Sequence, residues 1–130
     1  MALERISPQE AKQKLDADEG YIYLDVRSSA EYSAARAPGS VNIPILEQGP
    51  AGMTPNPDFL SACEERFSKD DKIITACLRG GRSMKAAQVL ISAGFTAVID
   101  MRGGFDGEMG PGGQIVYEGW CRCGLPVENE

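Results

Sequence analysis

The chain has 130 residues, 42% of them hydrophobic and 25% charged, the size and balance of one globular domain built on one core. Its net charge of −6 argues against nucleic acid or an anionic membrane as the main partner. It contains no histidine, which excludes every Cys-His or Ser-His catalytic pairing within the chain and any mixed Cys/His zinc site.

Ser7-Pro8-Gln9-Glu10 offers a capping Ser, a Pro at the first helical position and a closing Glu, and predicts a short helix ending near Leu15. After a turn at Gly20, the aromatic and β-branched run Tyr21-Ile22-Tyr23-Leu24-Asp25-Val26 predicts a strand. Ser28-Ser29-Ala30-Glu31 repeats the capping pattern and starts a brief helical turn. Ala37-Pro38-Gly39-Ser40 predicts a turn and Val41-Asn42-Ile43-Pro44 a short strand or extended segment. Residues 47–57, with three prolines, two glycines and little periodicity, are expected to be loop. Asn56-Pro57-Asp58 caps a helix running through about Phe67.

Ile73-Ile74-Thr75-Ala76 predicts a strand that runs directly into Cys77-Leu78-Arg79-Gly80-Gly81-Arg82-Ser83. The helical pattern that follows ends at Gly94, a natural left-handed cap. Thr96 to Asp100 is the next strand, followed by Gly103-Gly104. Gly107 to Gly113 is expected to be a mobile Gly-rich excursion, and Ile115 to Trp120 a final turn or short helix. Strands alternating with helices predict a parallel sheet covered on both faces, in one α/β domain spanning residues 1–130. Ligands of such folds bind beyond the carboxyl ends of the strands, which is where Cys77 falls. No apolar run approaches the ~20 residues of a membrane span, and the N-terminal segment Met1 to Pro8 lacks the apolar core of a signal peptide. A cytoplasmic protein is the expectation.

A cysteine between a buried strand and a helix N-terminus faces unpaired backbone N–H groups and the positive end of the helix dipole, and both favour the nucleophilic thiolate. Gly80 and Gly81 allow the backbone to curl around an anion, and Arg79 and Arg82 add positive charge. The loop is a cradle for a sulfur- or phosphorus-centred anion, activated by dipoles and cations with no metal or cofactor expected. An all-cysteine zinc site would have to join Cys63 and Cys77 to Cys121 and Cys123, whose sequence contexts differ, and no disulfide framework is expected.

Asp25-Val26-Arg27 followed by Glu31-Tyr32, Pro38 to Pro44, the Cys77–Ser83 loop, Gly103-Gly104 and the closing Gly124-Leu125-Pro126-Val127 stand in one order along nearly the whole chain. Taken together they resemble a single-domain rhodanese of the thiosulfate sulfurtransferase-like family. The resemblance implies a three-layer fold with a central five-stranded parallel sheet flanked by helices. It implies a Cys77 that attacks the outer sulfur of a small anionic donor such as thiosulfate, releases sulfite and carries the sulfur as a persulfide. Cyanide or a thiol, such as glutathione or a thioredoxin-like protein, then accepts that sulfur. Leu78, Arg79, Gly80, Gly81, Arg82 and Ser83 would hold the donor, with Arg82 closing the loop and Arg79 adding potential at its mouth in favour of thiosulfate over mercaptopyruvate. Related phosphatases place five residues between cysteine and arginine; here there are four, Leu78-Arg79-Gly80-Gly81, a tighter ring suited to a persulfide. A persulfide carrier or sensing module, an inactive binding module, and a Cys-dependent phosphatase or arsenate reductase are the alternatives.

Asp25, Arg27 and Glu31 are expected to be structural, with Arg27 able to pair with either carboxylate, and Arg102 to be a solvated surface charge. Arg36 stands where the family commonly has histidine and is either a contributor of substrate charge or a surface residue. Cys121-Arg122-Cys123 is either a sulfur relay that closes to a disulfide or two incidental thiols, one buried beside Trp120 and one exposed. Cys63, Trp120 and Tyr117 are expected to be packing residues.

Overall fold

The computed structural model describes residues 3–129; Met1 and Ala2, at the start of the N-terminal segment considered above, and Glu130 lie outside the described residues. Five parallel strands form the central sheet: β1 (Arg5–Ile6), β2 (Ile22–Asp25), β3 (Val41–Asn42), β6 (Lys72–Ala76) and β7 (Ala97–Met101), in the order β1-β7-β6-β2-β3. The expected α/β architecture is borne out. One face buries Leu24, Val26, Ile73 and Val98 against α3 (Phe59–Arg66) and α4 (Gly81–Ser92), through Phe59, Cys63, Ala86, Ala87 and Leu90. The other buries Tyr23, Ile74, Ala76, Ile99 and Met101 against Ala11 of α1 (Pro8–Asp16), Phe105 and Trp120. Alternate residues of each strand serve opposite faces, and each large apolar side chain so buried contributes ~1.5–3 kcal/mol.

Both capping boxes form. Ser7 accepts from the Glu10 N–H and Glu10 from the Ser7 N–H; Ser28 and Glu31 do the same at the start of α2 (Ser29–Ala34). At α3 the cap differs from expectation: Asp58 makes no side-chain cap, and instead the Asn56 carboxamide accepts from the Asp58 N–H at 3.0 Å in an Asx turn. Among the described residues, no helix is long and apolar enough to cross a membrane.

Three further expectations are corrected. The segment 47–57 is not wholly loop: β4 (Leu46–Gly49) and β5 (Gly52–Pro55) form an antiparallel hairpin, with Gly52 at φ +103° in its turn. The exposed side chains of β5 leave no alternating apolar pattern to announce it. The Gly-rich segment and the stretch after it form a second hairpin, β8 (Gly107–Met109) with β9 (Ile115–Glu118), irregular between Glu108 and Met109. Only Trp120–Arg122 takes the expected helical turn, of the 3-10 type. β1 has no sequence signature at all, because two residues show no period; its pairing of Arg5 with Asp100 and Ile6 with Met101 creates it.

Candidate active site

Cys77 directly follows β6 at the carboxyl edge of the sheet and is 1% exposed. Its Sγ accepts a hydrogen bond from the Gly80 N–H at 3.0 Å, so the loop backbone folds back onto the sulfur. Gly80 holds φ +112°, a left-handed conformation that glycine adopts without strain, and stands at the N-terminal boundary of α4. The first N–H groups of α4 have no partner within the helix and place its positive end at the cysteine. The Ser83 Oγ lies 3.5 Å from the Cys77 Sγ and donates to the Gly80 carbonyl at 3.3 Å.

The loop is supported from behind by backbone. The Phe105 N–H donates to the Cys77 carbonyl at 2.6 Å and the Asp106 N–H to the Leu78 carbonyl at 2.9 Å. Phe105 is held in turn, its own carbonyl accepting from the Cys121 N–H at 2.9 Å while Gly104 accepts from Trp120 at 2.9 Å. Gly104, at φ +60°, lies so close that an added Cβ would meet the Cys77 carbonyl and come within 2.8 Å of the Leu78 carbonyl.

The charges are all partnered. Arg82 forks onto Glu31, from Nη1 to Oε1 at 2.8 Å and from Nη2 to Oε2 at 3.1 Å. Burial raises the Glu31 pKa, but Arg82 and the Ser28 donors outweigh it and hold the carboxyl at about 2. Arg79, at the rim, pairs with Asp106 at 3.0 Å. Arg27 pairs with Asp25, with its Nη2 2.7 Å from Oδ2, donates to the Ala35 carbonyl and stacks over the Phe105 ring at 4.4 Å. Of the two carboxylates open to it in the sequence, Arg27 therefore takes Asp25, and Glu31 belongs to Arg82. Arg102 is exposed at the surface, as expected, where it pairs with Glu108 at 2.9 Å and stacks on Tyr117 at 4.0 Å.

The structure places Cys77, Leu78, Arg79 and Gly80 in the loop and Gly81, Arg82 and Ser83 in the first turn of α4, side by side, whereas Arg36 engages another part of the chain. Arg36 bridges to Glu128 through both backbones, comes within 3.6 Å of the Glu128 carboxylate and stacks on Tyr32. Cys63 is buried in the core, its thiol pushed up to about 12 by burial. Neither Cys121 nor Cys123 is buried: the first is exposed and the second half-buried. Burial, and then Asp106 at Cys121 and Glu118 at Cys123, raise both pKa values, which disfavours their thiolates. Trp120 is a packing anchor, edge-on to Tyr23 at 5.4 Å with its Nε1 donating to the Pro126 carbonyl at 2.6 Å.

The model of the rhodanese-like domain matches residues 7–107. The chain belongs to that family. It is 41% identical over 109 residues to "Thiosulfate sulfurtransferase 16, chloroplastic" of Arabidopsis thaliana, covering 84% of this chain and 81% of that protein. It is 38% identical to the Arabidopsis "Rhodanese-like domain-containing protein 15, chloroplastic", of whose length it spans only 56%. Among solved structures, a protein of M. tuberculosis, Rv0390, superposes over 100% of both chains with a TM-score of 0.83 at 26% identity. The rhodanese-like domain of an Anabaena protein superposes with a TM-score of 0.72 over 100% of this chain and 81% of its own, at 21% identity, a likeness of fold alone. The chain thus shares its family with relatives named as thiosulfate sulfurtransferases.

Sequence reasoning missed Asp106 as the partner of Arg79 and Asp100 as the buried partner of Arg5. Asp100 carried a signal, a carboxylate inside the otherwise apolar Val98-Ile99-Asp100-Met101, and it is fully buried against Arg5 and Thr75.

Proposed function

We propose that this rhodanese moves sulfane sulfur from a thiosulfate-like donor to a thiophilic acceptor through a persulfide on Cys77. The observation that carries the proposal is the Cys77 sulfur accepting the Gly80 N–H inside a four-residue loop closed by Arg82. The Cys77 thiolate attacks the outer sulfur of thiosulfate; a new S–S bond forms, the old one breaks, and sulfite leaves with the bonding pair. Cyanide, or the thiolate of glutathione or of a thioredoxin-like protein, then attacks the outer persulfide sulfur and regenerates the Cys77 thiolate. Loop N–H groups and the α4 dipole stabilise the anion in every state, so no cofactor enters. Arg79 at the rim attracts the dianionic donor, with no nucleic acid or membrane involved. We assign the reaction to the cytoplasm, an assignment that cell fractionation checks.

The test is a thiosulfate:cyanide assay with intact-mass analysis after thiosulfate loading. Wild type is expected to form thiocyanate and to gain the mass of one sulfur atom; Cys77→Ser is expected to do neither. Unchanged activity in Cys77→Ser overturns the proposal.

A second function, reduction of arsenate by a thiol, is favoured by one observation. The chain is 37% identical over 86 residues to an Arabidopsis protein named "HIGH ARSENIC CONTENT 1, mitochondrial", covering 51% of its length. Arsenite formation from arsenate and glutathione, lost in Cys77→Ser, would establish it.

A further inference from the structure

A cavity of about 280 Å³ lies between α3, α4 and the β4–β5 hairpin. Phe59 is its buried part, and Leu46, Leu60 and Val89 are apolar walls that the fold leaves half-buried. Arg82, Lys85 and Val89 stand three and four positions apart, so one stripe of α4 borders the cavity. Ala86, Ala87 and Leu90 of the same helix serve the core.

Most polar groups around this hollow are already committed. Arg82 is forked onto Glu31. The Asn56 carboxamide donates to the Pro44 carbonyl at 2.8 Å and accepts from the Asp58 N–H at 3.0 Å. Lys85 differs: it is exposed, and its ammonium has no hydrogen bond or ion pair among the described residues. No carboxylate lines the cavity among those residues either. A chain of net charge −6 therefore sets one uncompensated cation at the edge of an apolar hollow.

We propose that this cavity binds a small aryl carboxylate, its ring lodged against Phe59, Leu60 and Val89 and its carboxylate paired with Lys85. Removal of the ring from water drives binding, and the ammonium, still wet at the rim, selects an anion over a neutral molecule of the same shape. The volume lies at the lower end for small-molecule sites and suits a compact body rather than a protein segment. Arg82 follows the cysteine loop, so the cavity adjoins the sulfur site without using its thiol. Binding here is separate from the sulfur transfer proposed above, and its test reads no turnover.

Naphthoate and its neutral counterpart naphthalenemethanol are titrated into methyl-labelled protein, and the Leu46, Leu60 and Val89 methyl signals are followed by NMR. Wild type is expected to show saturable shifts at these methyls, with a Kd for naphthoate on the order of 1 mM or tighter. The alcohol is expected to bind about threefold more weakly, a preference that disappears in about 1 M salt. Lys85→Ala, at an exposed helical position where alanine preserves the helix, is expected to bind both compounds equally. Lys85→Glu is expected to prefer the alcohol. Shifts that do not saturate or that arise away from these methyls overturn the proposal. So does equal affinity of wild type for the two compounds, or a preference for naphthoate that survives in Lys85→Ala.

Discussion

The Arg82 guanidinium faces the Glu31 carboxylate in a two-bond fork, 51 positions apart in sequence, and this pair ties the start of α4 to the start of α2. Glu31 thereby joins the capping box of one helix to the arginine that follows the cysteine loop.

Glu31→Gln is expected to have two opposite effects. Stability at neutral pH should fall by on the order of 1–2 kcal/mol, the pKa depression discounted for a pair that retains some solvent contact. Because the folded-state pKa of Glu31 is about 2, below its ordinary value, this contribution is full above about pH 4.5 and is lost as pH falls toward 2. Denaturant midpoints of wild type and Glu31→Gln should therefore converge across that window. At the same time Arg82 is released from its counter-charge, and KM for thiosulfate should fall several-fold at low salt.

Gly104→Ala tests the support behind the loop. The added methyl would press on the carbonyls of Cys77 and Leu78 from a left-handed backbone, so both strain and displacement follow. A loss of about 3 kcal/mol or more is expected, with sulfurtransferase activity reduced at least tenfold in whatever fraction folds. Urea unfolding and activity per folded molecule measure the two.

Arg27→Met should leave Asp25 charged, buried and unpaired, at a cost of about 3–5 kcal/mol. Neutralising both partners in Asp25→Asn/Arg27→Met should recover part of that loss, and calorimetry of the two variants reads the difference.

The Cys121→Ser/Cys123→Ser double variant is expected to keep persulfide loading and turnover within about twofold of wild type, since burial and neighbouring carboxylates disfavour both thiolates. Persulfide on either residue after thiosulfate loading, or a loss of turnover, would show a sulfur relay.

The central sheet and the position of the cysteine loop were legible because their signals are local. Ser7 with Glu10 and Ser28 with Glu31 announce two helices, and the apolar run before Cys77 announces the strand that delivers it. The hairpins were not legible, because β5 and β9 alternate half-buried with exposed positions or are exposed nearly throughout, and Gly and Pro mask their extended backbone. The buried Asp100 cluster was hidden for another reason. Arg5, Thr75 and Asp100 come from three elements and meet only when β1 adds to the edge of the sheet.

The backbone ladder from Cys77 through Phe105 to Cys121 makes the shape of the cysteine loop depend on segments that follow it late in the chain. A chain cut short before Phe105 would keep the cysteine and both loop arginines but lose the N–H groups that hold the Cys77 and Leu78 carbonyls.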